Sequence, residues 1–246
     1  MRQTINNWLK NNQLLNFNVF KNALFKQKCL LCDAPEAANI QTSGHALCRA
    51  CLNDLPWHPT SSCPQCGLAS DGNVCGSCIS SPPDFDATQA VFLYAYPIDT
   101  MMQRYKYGSM LNLSQTFGQL LSDKILLESV DVVIPMPMHP ARIKERGFNQ
   151  AHEIAKVLTK NHAEKLDYKS VIRQKLTPPQ ASLPLKERVK NIKGAFKVNS
   201  DLSGKRVAIV DDVMTTGASL NELAKTFKKA GASHVECWVI ARTLLH

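Results

Sequence analysis

Short apolar runs alternate with amphipathic stretches over the C-terminal two thirds of the chain, from about residue 85 onward. Runs of β-branched residues bounded by turn residues predict buried strands, and apolar positions spaced three or four apart predict helices. The predicted elements are, in chain order, a strand or hairpin edge at 87–96, a helix at 113–127, a strand at 132–134, a helix at 149–160, a strand at 207–210, a helix at 220–230 and a strand at 235–240. This alternation indicates an α/β domain with a mostly parallel sheet and helices on both faces.

The apolar run 207–210 leads to two adjacent carboxylates, Asp211 and Asp212, and then to a short turn before the next helix. Ligands of open α/β sheets bind at this place, outside the carboxyl ends of the strands. Backbone N–H groups and hydroxyls of such a turn suit a phosphate, and paired carboxylates suit a ribose diol with Mg²⁺. The predicted phosphate-binding residues are Thr215, Thr216, Gly217, Ala218 and Ser219. The alternative is an ordinary turn whose Asp and Thr residues only cap the helix.

A second polar stretch follows the strand at 132–134 and presents three bases, Arg142, Lys144 and Arg146, ahead of the next helix. Arg142 and Arg146 share a face if this turn is helical, and planar guanidinium groups bind phosphate through two hydrogen bonds. The stretch therefore predicts an anion site, with an ordinary basic surface loop as the alternative.

The whole chain has a net charge of +9, and its positive charge is concentrated in one segment. Residues 139–197 hold fourteen Lys and Arg against five Asp and Glu, a surplus equal to that net charge. A basic surface of this kind favours phosphates, either small or polymeric. No stretch reaches the ~20 apolar residues of a membrane span. Residues 1–28 lack the apolar core of a secretory signal, so a cytoplasmic protein is expected.

Eight of the nine cysteines form four Cys-x-x-Cys pairs. Two such pairs complete a tetrahedral zinc site, about 2.3 Å from each sulfur, and closed sites of this type are structural. The pattern predicts about two Zn²⁺ ions, with a redox motif or an iron–sulfur cluster as alternatives. Sequential pairing gives one site from Cys29, Cys32, Cys48 and Cys51 and another from Cys63, Cys66, Cys75 and Cys78. Interleaved pairing also fits the spacing, and His45 and His58 are potential substitute ligands.

Three segments are predicted: a basic helical extension at 1–28, a double zinc ribbon at 29–80 and the α/β domain at 85–246. The cysteine-rich segment has few large apolar residues, so metal binding should supply its folding energy. A polar excursion from residue 177 to about residue 196 is too long for a simple connector. It is either a mobile lid that closes over a ligand or a solvent-exposed loop without a role in binding.

Several motifs together resemble the ComF family, which joins a zinc ribbon to a type I phosphoribosyltransferase domain. They are the cysteine pairs, Tyr-Lys-Tyr-Gly at 105–108, the proline-rich turn with Arg-Gly-Phe-Asn-Gln at 146–150, and the run from Thr-Pro-Pro-Gln at 177–180 to Gly-Ala-Phe at 194–196. The run at 207–219 separately resembles the loop which binds 5-phosphoribosyl-1-pyrophosphate (PRPP) in type I phosphoribosyltransferases. The resemblance implies PRPP with Mg²⁺ as ligand, Asp211 and Asp212 facing ribose and Mg²⁺, and residues 215–219 facing the 5-phosphate. It makes Arg142, Lys144 and Arg146 pyrophosphate or DNA contacts.

The resemblance also implies a role in natural competence and DNA uptake or utilisation, with single-stranded DNA and a competence helicase as partners. The alternative is an active phosphoribosyltransferase that transfers the 5-phosphoribosyl group from PRPP to an unidentified acceptor. The sequence reveals no general base and no acceptor pocket, so it assigns no catalytic residue.

Overall fold

The computed structural model describes residues 28–35, 45–108, 110–176 and 191–244. They form two compact units, one ending at Asp54 and the other beginning at Leu55. This division falls between the two groups of cysteines, so the second group lies in the same unit as the sheet. The predicted helix within residues 1–28 and most of the polar excursion lie outside the described residues.

The elements follow the predicted alternation. The helices with both ends in the described part of the chain are α1 (Arg49–Asn53), α2 (Gly76–Ser80), α3 (Ile98–Tyr107), α4 (Asn112–Ser122), α5 (Pro140–Arg146), α6 (Gln150–Leu158) and α7 (Ala218–Lys229). The strands are β1 (Ala87–Leu93), β2 (Val132–Pro135), β3 (Val171–Arg173), β4 (Phe196–Val198), β5 (Arg206–Met214) and β6 (His234–Arg242). Short 3₁₀ turns occur at Leu127–Ser129 and Ala163–Lys165.

Four strands form a parallel sheet in the order β1–β6–β5–β2. Strands β5 and β6 occupy its centre, with Asp211 opposite Val239 and Met214 opposite Arg242. Because parallel strands all end at the same edge, the turns after β2 and β5 lie side by side. The predicted parallel sheet is confirmed, and it brings the two polar stretches of the sequence to one edge.

Both faces of the sheet are covered. Val207 and Ile209 of β5 belong to the same core cluster as Phe227 of α7. Ala208 and Val210, which alternate with them, are fully buried on the opposite face, where α4 and α6 pack. A strand buried on both sides reads as a continuous apolar run, which is why β5 could be predicted from its sequence.

Strand β5 is longer than predicted, because it continues through Asp211 and Asp212 to Met214 instead of ending at residue 210. Its neighbour β6 also runs on, so the hydrogen-bonded ladder reaches Arg242. The two acids therefore lie within a strand, and the irregular turn begins only at Thr215. Helix α7 starts two residues earlier than predicted.

Other differences concern elements with weak sequence signals. Helix α3 and the antiparallel pair β3–β4 were not predicted, and β1 is a parallel edge strand instead of part of a hairpin. Helix α4 ends at Ser122, before the predicted residue 127, since Ser122 and Asp123 belong to types that favour helix ends. The short strands β3 and β4 lie at the two ends of the polar excursion.

The second cysteine group is built into the core of the larger unit. Cys63, Cys66 and Cys78 belong to the same cluster of buried residues as Phe85 and Met214. Thr88 at the start of β1 donates from Oγ1 to the carbonyl oxygen of Gln65 at 2.6 Å. A ribbon with few apolar residues of its own thus gains burial from the sheet on which it packs.

Candidate functional site

The eight paired thiols form two groups of four. Within each group the sulfur atoms lie within 4.8 Å of one another. The groups are those of sequential pairing, with Cys29, Cys32, Cys48 and Cys51 in one and Cys63, Cys66, Cys75 and Cys78 in the other. Neither His45 nor His58 belongs to a group, and the His58 ring instead bonds the carbonyl oxygen of Gly67 at 2.8 Å.

The geometry of both groups fits zinc. A tetrahedral ion about 2.3 Å from each sulfur places the sulfurs about 3.8 Å apart. The Cys32–Cys48 and Cys66–Cys75 sulfur pairs are separated by 3.8 and 3.7 Å. Backbone N–H groups also donate to thiol sulfurs, as from Cys75 to Cys63 at 3.3 Å. Burial disfavours the Cys63 thiolate, but such N–H bonds outweigh it and lower its pKa to about 6, which suits a metal ligand.

The turn between β5 and α7 contains a glycine at positive φ. Gly217 has a φ of 77°, in the left-handed region, and an added Cβ would lie 2.8 Å from the Met214 methyl. The Thr216 hydroxyl accepts a hydrogen bond from the Ala218 N–H at 3.3 Å. The N-cap of α7 is Gly217, which has no side chain to cap the helix, and Thr215, Thr216 and Ser219 all line the cavity in front of the turn.

The two carboxylates differ in their surroundings. Asp211 accepts the backbone N–H of Asp212 at 2.9 Å, and Asp212 forms an ion pair with the Lys106 ammonium at 3.0 Å. Burial, followed by the charge of Asp212, raises the pKa of Asp211 to about 7. Burial also opposes the charge of Lys106, but both carboxylates outweigh it and raise the pKa of its ammonium group. Lys106 therefore occupies the place next to the acids where a bound cation would be expected.

A cavity of about 330 Å³ lies in front of this turn and collects positive charge around it. Its lining includes Lys106 of α3, Arg142 and Arg146 of α5, and Arg173 of β3. The segment is helical, so the condition under which the two arginines share a face is met, and α5 carries both to the cavity. Lys144 is exposed and does not line it. The cavity thus brings together two of the three predicted bases with the predicted turn.

Arg146 is held in place but not fully bonded. Its guanidinium lies 5.3 Å from the ring centre of Tyr107 and donates to the Tyr107 hydroxyl and to Gln150 Oε1 at 3.4 Å each. Its buried Nε atom lacks an acceptor among the described residues. A buried donor without a partner costs free energy, so the guanidinium is incompletely compensated in the ligand-free protein. Arg142 is instead paired with Glu145 at 2.6 Å.

Sequence reasoning missed Lys106 and Arg173 as members of the site. Lys106 lies within Tyr-Lys-Tyr-Gly, which contributed to the family resemblance but was not assigned to the site. Its position between two tyrosines is the sequence feature that could have indicated a role. Arg173 lies in a strand that was not predicted. Both reach the cavity through tertiary packing of separate elements, which spacing along the chain does not encode.

Among the helices of the described residues, none combines the length and apolar character needed to cross a bilayer.

Family models match most of the chain in two parts. Residues 121–244 match the phosphoribosyl transferase domain, and residues 20–79 match the double zinc ribbon domain. The first match includes β2, the basic helix α5, the acidic strand β5 and the turn that follows it. The second includes both groups of cysteines.

Curated relatives align over nearly their whole length. The DNA utilization protein YhgH of Escherichia coli is 30% identical over 226 residues, which are 88% of this chain and 97% of the relative. Competence protein F of Haemophilus influenzae is 30% identical over 89% of this chain and 98% of the relative. Competence protein ComFC of Streptococcus pneumoniae is 23% identical over 87% of this chain and 100% of the relative. The chain therefore belongs to the ComF family, in which a double zinc ribbon is joined to a phosphoribosyltransferase domain.

Proposed function

We propose that the larger unit binds PRPP together with Mg²⁺ at the turn after β5, in a protein that acts in DNA uptake or utilisation. The observation that carries this proposal is the cavity in front of the turn. It combines the turn at 215–219, the half-buried carboxylate of Asp211 and four cationic side chains around one volume of about 330 Å³. PRPP presents the matching groups, which are a 5-phosphate, a ribose diol and a pyrophosphate.

Each part of the ligand has a candidate partner. The 5-phosphate meets the turn at 215–219 and the N-terminus of α7, where backbone N–H groups favour an anion. The carboxylates of Asp211 and Asp212 suit the ribose hydroxyls and Mg²⁺, which prefers oxygen ligands. Lys106, Arg142 and the unsatisfied Arg146 Nε suit the pyrophosphate. Magnesium, when bound, supplies positive charge that neutralises the phosphates.

The DNA-related role draws on the relatives and on charge. The relatives are named for DNA utilisation and competence, and the basic residues concentrated in 139–197 favour polymeric phosphate. Single-stranded DNA and a competence helicase are the proposed partners, and the cytoplasm the proposed location. Lys144, which is exposed on α5 and outside the cavity, is a candidate DNA contact.

Phosphoribosyl transfer to an acceptor is the second candidate function, and a neighbouring cavity favours it. This cavity of about 450 Å³ shares Met138, His139 and Arg173 with the first. Its wall includes the stacked rings of His152 and Tyr168, whose centres are 4.5 Å apart. A planar acceptor in this cavity would form a bond to ribose C1 of PRPP. The bond between C1 and the pyrophosphate oxygen breaks, pyrophosphate leaves with the electron pair, and the acceptor loses its proton to water.

The test is calorimetric titration of Mg²⁺ and PRPP into the zinc-loaded protein and into the Asp211→Asn, Asp212→Asn double variant. Binding by the wild type and by the exposed-site control Asp123→Asn, with loss in the double variant, is the expected result. Equal binding by all three would place the ligand elsewhere. Release of pyrophosphate on adding a panel of nucleobases would establish transfer, and its absence would leave the binding role alone.

Binding to single-stranded DNA is measured separately by fluorescence anisotropy with an oligothymidylate. Affinity should fall steeply with rising salt, because phosphate contacts release counterions. It should survive in the double Asp variant, since the acids contribute no attraction for DNA. Salt-independent binding, or loss in that variant, would contradict the proposed DNA surface.

A further inference from the structure

Arg242, the last residue of β6, is a buried cation bound only to backbone oxygens. Its side chain is one of the largest that are fully buried, with 1% of the residue exposed. Its Nε donates to the carbonyl oxygen of Cys66 at 2.8 Å. Its Nη1 donates to the carbonyl oxygens of Met214 at 3.1 Å, Thr243 at 3.0 Å and Thr215. One guanidinium therefore joins a cysteine of the second group to the start of the phosphate-binding turn.

The contacts on both sides of Arg242 are close. On the ribbon side, Gly67 has a φ of 69°, and an added Cβ would lie 3.7 Å from Arg242 Cδ. On the turn side, Thr243 donates its N–H to the Met214 carbonyl at 3.0 Å and its hydroxyl to the Thr215 carbonyl at 3.3 Å. The carbonyl oxygens at the start of the turn are thus held by residues 242–243, and this fixes the backbone from which the turn departs.

The charge of Arg242 has a counter-charge only on the ribbon side. Arginine stays protonated in proteins, and a buried charge without compensation is strongly unfavourable. No ion pair joins Arg242 to a carboxylate among the described residues, and its guanidinium donates there to four carbonyl groups. Four thiolates around one Zn²⁺ carry a net charge of about −2. The cysteine group whose Cys66 carbonyl bonds Arg242 therefore provides that negative charge once it holds zinc.

We propose that Arg242 is a positioning residue through which the second zinc site holds the phosphate-binding turn in its binding conformation. Loss of zinc from the group of Cys63, Cys66, Cys75 and Cys78 reduces the negative charge and the order beside the buried guanidinium, and this frees the turn. Loss of zinc from the first group has no such effect, because that group belongs to the other compact unit. The proposal rests on the proposed function in taking PRPP as the ligand of the turn.

The first test compares one ligand from each group, Cys75→Ser with its matched control Cys51→Ser, both half-buried. Each variant should retain one zinc per chain where the wild type holds two. Amide hydrogen exchange over residues 214–220 should become at least tenfold faster in Cys75→Ser and stay at the wild-type rate in Cys51→Ser. Affinity for Mg²⁺ and PRPP should fall at least tenfold in Cys75→Ser alone. Equal exchange at the turn in the two variants would overturn the proposal.

If Cys75→Ser unfolds the larger unit, amide hydrogen exchange will become fast in β5 and β6 as well as in the turn. A second variant, at Arg242, keeps the proposal testable in that case. Arg242→Lys keeps the charge but lacks the planar fork that bonds several carbonyls. It should retain two zinc ions, while exchange at 214–220 rises at least tenfold and PRPP affinity falls. Wild-type exchange in this variant would refute the role of Arg242. The exchange measurement needs no ligand, so it remains decisive even if the wild type fails to bind PRPP.

Discussion

The half-buried carboxylate of Asp211 should destabilise the ligand-free protein at neutral pH. Burial, and then the charge of Asp212, raise the pKa of Asp211 from 3.8 to about 7. A group with a raised pKa favours the folded state below its unfolded pKa, and this advantage is lost as pH rises toward the folded value. Asp211→Asn removes the charge while its side-chain oxygen can still accept the N–H of Asp212, now held at 2.9 Å. The variant should therefore be more stable than the wild type.

The size of the gain follows from the same shift. Each pKa unit is worth about 1.4 kcal/mol, so the gain is at most about 4 kcal/mol at pH 8 and about 2 kcal/mol at pH 5. The expected increase between these pH values is therefore about 2 to 3 kcal/mol, or a rise in Tm of roughly 5 to 10 °C. Lys106 and Arg173 partly offset the cost of the Asp211 charge, and the pKa of about 7 used here already includes their effect.

The assay is thermal unfolding of the zinc-loaded, ligand-free protein at pH 5, 6, 7 and 8. The matched control is Asp123→Asn, an exposed aspartate at the end of α4, which should shift Tm by little at every pH. A gain for Asp211→Asn that grows with pH supports the assignment of a half-buried, electrostatically strained carboxylate. No gain, or a gain independent of pH, would refute the reasoning.

Three further variants test neighbouring contacts. Lys106→Gln removes the cation paired with Asp212, so calorimetry should show tighter binding of Mg²⁺ alone but weaker binding of PRPP. Gly217→Ala should lower the free energy of unfolding by about 1 to 2 kcal/mol and abolish PRPP binding. Its control is Gly147→Ala, which is also at positive φ but has open space around an added Cβ. The control should lower stability by a similar amount and leave PRPP binding intact. Gly118→Ala places a Cβ 2.5 Å from a side chain of α6 and should cost about 1 to 3 kcal/mol in thermal unfolding without altering PRPP affinity.

Each of these variants has an outcome that would contradict it. Unchanged PRPP affinity in Lys106→Gln would remove this lysine from the pyrophosphate contacts. Loss of PRPP binding in Gly147→Ala would show that backbone strain elsewhere near the site also abolishes binding, so the effect would not be specific to Gly217. Wild-type stability in Gly118→Ala would mean that α4 and α6 can separate without cost.

Local patterns predicted the parts of the fold that depend on local physics. The run at 207–210 is buried on both faces of the sheet, so its composition alone marks a strand. The four Cys-x-x-Cys pairs predicted two four-sulfur sites, because each pair directs two sulfurs at one point, but the spacing left sequential and interleaved pairing open. The turn after β5 was predicted from the polar residues that follow the apolar run, and its Gly217 has a positive φ, which glycine adopts without strain.

The contacts that sequence reasoning missed join residues far apart in the chain. Lys106 meets Asp212 only because α3 packs beside the carboxyl ends of the strands. Arg242 lies beyond the strand predicted at 235–240, and its bonds to Cys66 and Thr215 depend on the ribbon packing against the sheet. Strand β5 continued past its predicted end because its neighbour β6 did. Such pairings arise from topology, which a single sequence does not specify position by position.

The most direct test of the central claim is a crystal structure of the zinc-loaded protein with Mg²⁺ and PRPP. The account predicts the 5-phosphate within hydrogen-bonding distance of the backbone N–H groups at 216–219, with the ribose facing Asp211 and Asp212. It also predicts that Lys106 shifts from Asp212, where it now lies at 3.0 Å, toward the pyrophosphate. PRPP bound away from this turn, or a turn left empty at saturating PRPP and Mg²⁺, would contradict the account.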